Sequence, residues 1–359
     1  MTQPELHLVV PGPIDQRTGG YIYDARIVSG LRELGWSVVL HSVDGTFPGP
    51  DPVARSNLMS TLAAIPTGGR VVIDGLAMGA LPEPVHAQAA RLRVLSLVHH
   101  PLADETGLDV DARDRFSELE RDALTACAGV LVTSAFTARR LEQYGVKTER
   151  VRAVYPGTDR CRPAVGPGGD APPALLCVGS VTPRKGHDVL VRALARLRHL
   201  PWTCVCAGSL ASAPGYAEVV HRLIRDARLD DRVQLIGECD AGRLDALYHH
   251  ASLFVLPSHY EGYGMALSDA LARGLGVVST TGGAIPHTVP RDAGALVRPG
   301  DDAALTEALR ALLTEPGGAE RRGALATAAR RHAETLPRWD EAAACFAAAV
   351  RELIPDGNV

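Results

Sequence analysis

Lysine is almost missing from this sequence. Of its 37 basic residues only Lys147 and Lys185 are lysine, and the rest are arginine. Arginine offers a planar fork and lysine a compact point charge, so a lysine kept in such a composition invites a question about its site. Lys147 lies in a polar connection, "YGVKTER", whereas Lys185 lies in "VGSVTPRKGHDVL" (178–190). Excess charge is missing too. A net charge of −4 over 359 residues leaves no global attraction for nucleic acid or anionic lipid. No apolar run approaches the roughly 20 residues of a membrane span. The opening "MTQPELHLVVPG" lacks the basic segment and long apolar core of a signal peptide. The expectation is a soluble, cytoplasmic protein with no integral membrane contact. The seven cysteines are scattered singly except Cys204 and Cys206 in "WTCVCAG", which a strand would set on one face. An odd number without ligand spacing reads as reduced, buried thiols, not as a disulfide framework or structural zinc. There is no repeat of 20–50 residues and no low-complexity tract.

What is present is an alternation. "LHLVV" (6–10) leads through "PGPIDQRTGG" into an amphipathic helix bearing Ile27, Leu31 and Leu34 and ending at Gly35. "WSVVL", "RVVIDG", "RVLSLVHH" and "GVLVTS" follow, with a charged helix over about 112–127, and "VRAVYPG" closes this half. Residues 158–173, "TDRCRPAVGPGGDAPP", are rich in proline and glycine and read as a linker. A second alternation follows, with helices expected at 187–198, 216–228, 241–250, 265–273 and 302–314. Short apolar strands alternating with helices imply parallel sheets covered on both faces. The chain is therefore expected to be α/β, with two doubly wound halves whose strand ends face each other across a cleft. Ligands of such sheets bind beyond the carboxyl ends of the strands.

Four strand ends carry chemistry. Gly19 and Gly20 open the first helix, where bare backbone N–H groups can meet an anion; a plain tight turn explains them as well. Arg184 and Lys185 precede a helix start, where cations oppose the helix dipole unless an anion joins them, and this argues for phosphate. His99 ends "RVLSLV", placed either to donate to a ligand or to sit satisfied and half-buried. The fourth is "SHYEGYGMALSDALARG" (258–274). A helix beginning near Gly264 leaves the N–H groups of Gly264, Met265 and Ala266 for a phosphate. Glu261 precedes that start and Asp269 follows it. Two carboxylates flanking an anion site suit hydroxyls, so the segment reads as a cradle for phosphates with hydroxyls at both ends, the shape of a nucleotide sugar. Asp109 and Asp111 have the Asp-x-Asp spacing of metal-dependent transferases, but their place before a charged helix favours capping.

With these blocks, and with "RVQLIGE", "LYHHASLFVLPSHYEGYGMALSDALARGLGVVST", "TGGAIPHTV" and "GALVRPGDDAAL" in the same order, the chain resembles the retaining glycosyltransferases of family four, most densely over 174–315. The resemblance implies the GT-B fold. It assigns 1–157 to an acceptor domain, 174–335 to a donor domain and 336–359 to a C-terminal helix, around Trp339, that crosses back to the first domain. It implies transfer of a hexose from a nucleoside-diphosphate sugar, UDP-linked before GDP-mannose, to a hydroxyl of a small-molecule or glycan acceptor, with retention and without a metal or other cofactor. The family also admits membrane-bound lipid acceptors, but residues 1–160 hold 16 Lys/Arg against 19 Asp/Glu and no basic amphipathic helix, which favours a soluble acceptor. Carried over, Glu261 contacts the transferred sugar, Asp269 the ribose, Lys185 the diphosphate, Gly19 and Gly20 the same diphosphate, and His99 the sugar near its reacting carbon. Three positions depart from the family pattern. Asp269 replaces a glutamate, Ser180 replaces an arginine that Arg184 is placed to substitute for, and His287 replaces a glutamate. Competing readings are a nucleotide-sugar epimerase of the same architecture and a nucleotide-sugar-binding protein without turnover.

Overall fold

The computed structural model describes residues 3–355; residues 1–2 and 356–359, the outer ends of the expected first domain and C-terminal segment, lie outside the described residues. The chain divides into two compact units. One joins the N-terminal part up to Gly157 with the segment from Pro337 onward, and the other runs Thr158–Leu336.

The first unit holds β1 (Glu5–Pro11), β2 (Ser37–Val43), β3 (Arg70–Asp74), β4 (Arg93–Val98), β5 (Gly129–Val132) and β6 (Val151–Ala153). They form one parallel sheet in the order β2-β1-β3-β4-β5-β6. The strands read as near-continuous apolar runs because helices cover both faces. Val9, Val71, Ile73 and Val94 are buried with Leu58 and Leu62 of the helix Pro52–Ala64, one of two helices, with Pro82–Ala89, that apolar periodicity alone leaves unmarked. The C-terminal helix Trp339–Leu353 packs on the helix Gly19–Glu33. A Cβ at Gly30 would stand 2.4 Å from the Ala343 Cβ, so glycine there lets the two backbones close up.

The second unit holds β7 (Ala174–Val178), β8 (Thr203–Ala207), β9 (Val233–Leu235), β10 (Leu253–Leu256), β11 (Val277–Thr280) and β12 (Gly294–Val297). Its parallel order is β12-β11-β10-β7-β8-β9, the doubly wound Rossmann arrangement. One core cluster takes in the sheet and two helices that pack on each other beside it, through Leu190 and Leu194 of His187–Arg196 and Leu305 and Leu309 of Asp302–Leu313. The expected linker 158–173 is irregular, as its prolines and glycines require, but it is hydrogen-bonded along this unit: Ala164 N donates to Arg273 O and Val165 N to His249 O. Backbone groups left exposed in that stretch find carbonyl partners at helix ends, which pins it down.

Arginine's dominance has a visible use. Arg91 donates to the carbonyls of Leu62 and Ile65 at a helix C-terminus. Arg232 lies 3.7 Å over the Trp202 ring and donates to the Trp202 and Leu200 carbonyls. A fork that stacks and caps at once does what an ammonium cannot.

Candidate active site

In each sheet the strand order reverses next to the first strand of the unit, between β1 and β3 and between β7 and β10. A crevice opens at such a point because the flanking connections leave toward opposite faces. Both groups of candidate residues stand there.

In the second unit the chain leaving β7 passes Gly179 and Ser180, makes a 3-10 turn at Pro183–Lys185, and enters the helix His187–Arg196 through Gly186. Gly186 has φ +68°, and a Cβ on it would lie 2.3 Å from the Pro257 carbonyl oxygen, so glycine is required twice over. The close approach brings the turn onto the end of β10. Lys185 Nζ lies 2.6 Å from Glu261 Oε1, and the Ser258 hydroxyl donates to the same oxygen at 2.7 Å. Arg184 Nη1 donates to the Tyr260 carbonyl at 3.0 Å and stands 3.5 Å from Glu261 Oε2. Glu261 is 5% exposed. Burial alone would raise its carboxyl pKa. The charges of Lys185 and Arg184, with hydrogen bonds from Lys185 and Ser258, outweigh burial and bring it to about 2. Burial, joined by the neighbouring Arg184 charge, in turn lowers the Lys185 ammonium against the pull of Glu261.

The Glu261 backbone is held as firmly. Its carbonyl accepts from Ala284 N at 2.8 Å, and a Cβ on Gly283 (φ +62°) would fall 2.3 Å from that oxygen. Gly264, at φ +93°, then turns the chain into the helix Met265–Ala272, whose first N–H groups, from Met265 and Ala266, have no acceptor within the helix. A Cβ on Gly264 would sit 3.7 Å from that of Glu261, so helix start and carboxylate are neighbours. Asp269 is half-buried on this helix, one turn before Arg273, whose Nη1 donates to the Asp269 carbonyl, and Ser180 lies just beyond the end of β7. His287, in the short helix Ile285–Thr288, follows the glycine pair.

The first unit gathers a different group. Gly20, near the start of the helix Gly19–Glu33, faces His99 beyond β4: a Cβ there would lie 3.2 Å from its Cδ2. His99 Nε2 is 3.1 Å from Asp24 Oδ1 and 3.6 Å from Asp74 Oδ2, and Tyr23 meets the imidazole edge-on at 5.4 Å. Asp74 also accepts from Leu76 N at 2.6 Å. Asp24 is fully buried, and its Oδ2 has no partner among the described residues. Burial by itself lowers the His99 pKa, but the two carboxylates more than reverse this and hold it at about 10. Burial raises Asp24 to about 7 against the pull of His99. The imidazole is thus a protonated donor at neutral pH, anchored from behind.

Sequence reasoning passed over Asp24, Asp74 and Ser258. Asp24 had a signal, since it lies on the apolar stripe with Ile27, Val28 and Leu31, where a carboxylate has no business unless paired. Asp109, for its part, accepts from Ala112 N at 2.7 Å and caps the helix Val110–Thr125.

Two Rossmann-type units with their polar clusters at the switch points define the GT-B class. Solved structures agree on the fold: sucrose-phosphate synthase from Thermosynechococcus elongatus superposes with TM-score 0.81 at 22% identity, covering 98% of this chain and 99% of that one. The Anabaena protein HepE, solved in complex with UDP and glucose, gives TM-score 0.72 at 16% identity over 96% and 98%. Residues 166–332 match the family model described as "Glycosyl transferases group 1", and over its second unit the chain belongs to that family. A D-inositol 3-phosphate glycosyltransferase of Thermobifida fusca is 31% identical over 286 residues, 72% of this chain and 64% of that protein. The chain spans between 49% and 64% of the length of the curated relatives it matches. Among the described residues no helix is long and apolar enough to cross a membrane.

Proposed function

We propose that the chain is a retaining glycosyltransferase that moves a hexose from a nucleoside-diphosphate sugar, UDP-linked by preference, to a hydroxyl of a soluble acceptor. The observation that carries this reading is the Glu261 carboxylate, locked in ionised form by Lys185, Arg184 and Ser258 beside the left-handed Gly264 that opens a helix.

In this reading the donor diphosphate lies against Lys185, Arg184 and the N–H groups of Gly264, Met265 and Ala266. Those groups take up the negative charge that grows on the leaving phosphate as the glycosidic bond breaks. The cationic turn and helix start supply that charge without a divalent ion. Glu261, with its pKa about 2, does not exchange protons near neutral pH. It accepts hydrogen bonds from sugar hydroxyls and fixes the sugar's orientation. Asp269 accepts from the ribose hydroxyls. The acceptor's proton goes to the departing diphosphate on the same face, which gives retention without an enzymic nucleophile. His99, charged and held by Asp24 and Asp74, is the donor the first unit offers the substrate, and Gly19 and Gly20 leave its surroundings open to a phosphate. The UDP preference draws support from the HepE complex with UDP and glucose. The soluble acceptor draws support from relatives named for D-inositol 3-phosphate.

The test is a transfer assay with UDP-glucose, UDP-N-acetylglucosamine and GDP-mannose against a panel of polyols and glycosides, with no added magnesium or manganese, and product configuration read by NMR. An axial product from an axial donor supports the reading. Inverted product, or transfer that requires added metal, contradicts it.

A further inference from the structure

Three soft donor groups that glycosyl transfer does not use meet beneath the phosphate-binding turn. β7 and β8 run in register with Cys177 opposite Cys206, so the pleat sends both thiols to the same face of the sheet. His187, the first residue of its helix, approaches from above with Nε2 3.7 Å from Cys177 Sγ. The three donor atoms lie within 4.8 Å of one another, and the residues are 0%, 2% and 0% exposed for Cys177, Cys206 and His187. The other ring nitrogen, Nδ1, has no hydrogen-bond partner among the described residues, and no hydrogen bond there offsets the cost of its burial.

A tetrahedral zinc ion, with Zn–S about 2.3 Å and Zn–N about 2.0 Å, holds its donors roughly 3.5–3.8 Å apart. The Cys177–His187 distance already fits, and the remaining separations need to close by no more than about 1 Å. Two thiolates and an imidazole around a dication are neutral overall, so the loaded cluster adds no net charge to the core. The Cys204 thiol borders Cys206 on the same face of β8 but lies outside the group of three. Spacing along the sequence hid the set, because strand pairing alone brings positions 177 and 206 together.

We propose that Cys177, Cys206 and His187 bind one soft divalent cation of the zinc class, acquired during folding, that ties β7 and β8 to the helix start following Lys185. Binding releases the two thiol protons. The proposal stands independently of glycosyl transfer. It is tested on the full chain, reduced and purified without metal affinity, by titration with Co(II) and displacement with Zn(II). One equivalent of Co(II) should produce thiolate-to-cobalt charge-transfer absorption that Zn(II) abolishes. The absorption should be lost in Cys177→Ala and in His187→Gln, and kept in Cys345→Ser, which removes an exposed thiol. Because core variants can unfold, the unaltered protein gives a second reading: Zn(II) should raise Tm and a strong chelator lower it. Absence of both the absorption and the Tm response overturns the proposal. So does absorption that survives Cys177→Ala but vanishes in Cys345→Ser.

Discussion

Glu261 is the residue on which the second unit's polar chemistry converges. It accepts from Lys185 and Ser258 and lies within reach of Arg184, at a depth where an unpaired charge is expensive. Removing one partner of a buried pair costs about 3–5 kcal/mol, far more than the ≤ ~1 kcal/mol of an exposed pair such as Arg331–Asp292. Glu261→Gln keeps the shape and drops the charge. It should lower kcat by about 10²-fold or more with a much smaller change in donor KM, and should lower Tm. A KM effect larger than the kcat effect would move Glu261 from the sugar to the phosphates. Asp269→Ala should show the opposite split, with nucleotide affinity weakened and turnover largely kept. His99 gives a pH prediction. Its folded pKa of about 10 stands above the ordinary 6.5, so its contribution to stability is complete below pH 6.5 and is lost as pH rises through 10. Asp24→Asn removes the nearer carboxylate and should bring the His99 imidazole titration, followed by NMR, down toward neutral pH. A titration unmoved by Asp24→Asn would mean that Asp74 alone holds the proton.

Elements place these residues through glycines more than through side chains. Gly186 permits a left-handed turn and contact with the Pro257 carbonyl at once, and Gly282 and Gly283 let the 281–284 segment lie on the backbone of His259 and Glu261. Gly186→Ala faces a steric clash in addition to about 1–2 kcal/mol for the left-handed conformation. It should lower Tm by several degrees and weaken nucleoside-diphosphate binding, read by calorimetry, while leaving the rest of the sheet's hydrogen exchange unchanged. How much of this was legible in the sequence divides along the same line. Periodicity finds the helix Ala241–His250 at its bounds, and Met265–Ala272 and Asp302–Leu313 to within a residue, because their apolar stripes face one core. It finds no stripe over Pro52–Ala64, whose buried Ala54, Leu58 and Leu62 alternate with too many other small and apolar residues to stand out. The pairing of Lys185 with Glu261 was not readable from spacing, since 76 positions separate them and only the adjacency of β7 and β10 brings them together.

At the scale of the molecule, the chain repeats one solution twice: a parallel sheet, a reversal of strand order, and a polar cluster at the reversal. The arrangement was foreseeable from the two alternations of short strands and helices, but the strand order was not, because register depends on which apolar faces pack together and not on the order of strands along the chain. The cluster at the second reversal is proposed to hold a nucleoside diphosphate. Thermal unfolding of the protein with UDP, GDP, ADP or TDP, without added metal, addresses it directly. One nucleotide series, led by UDP, should raise Tm in a concentration-dependent way, and Lys185→Gln should remove most of that rise. No rise with any nucleotide, or a rise that Lys185→Gln leaves intact, would contradict the account.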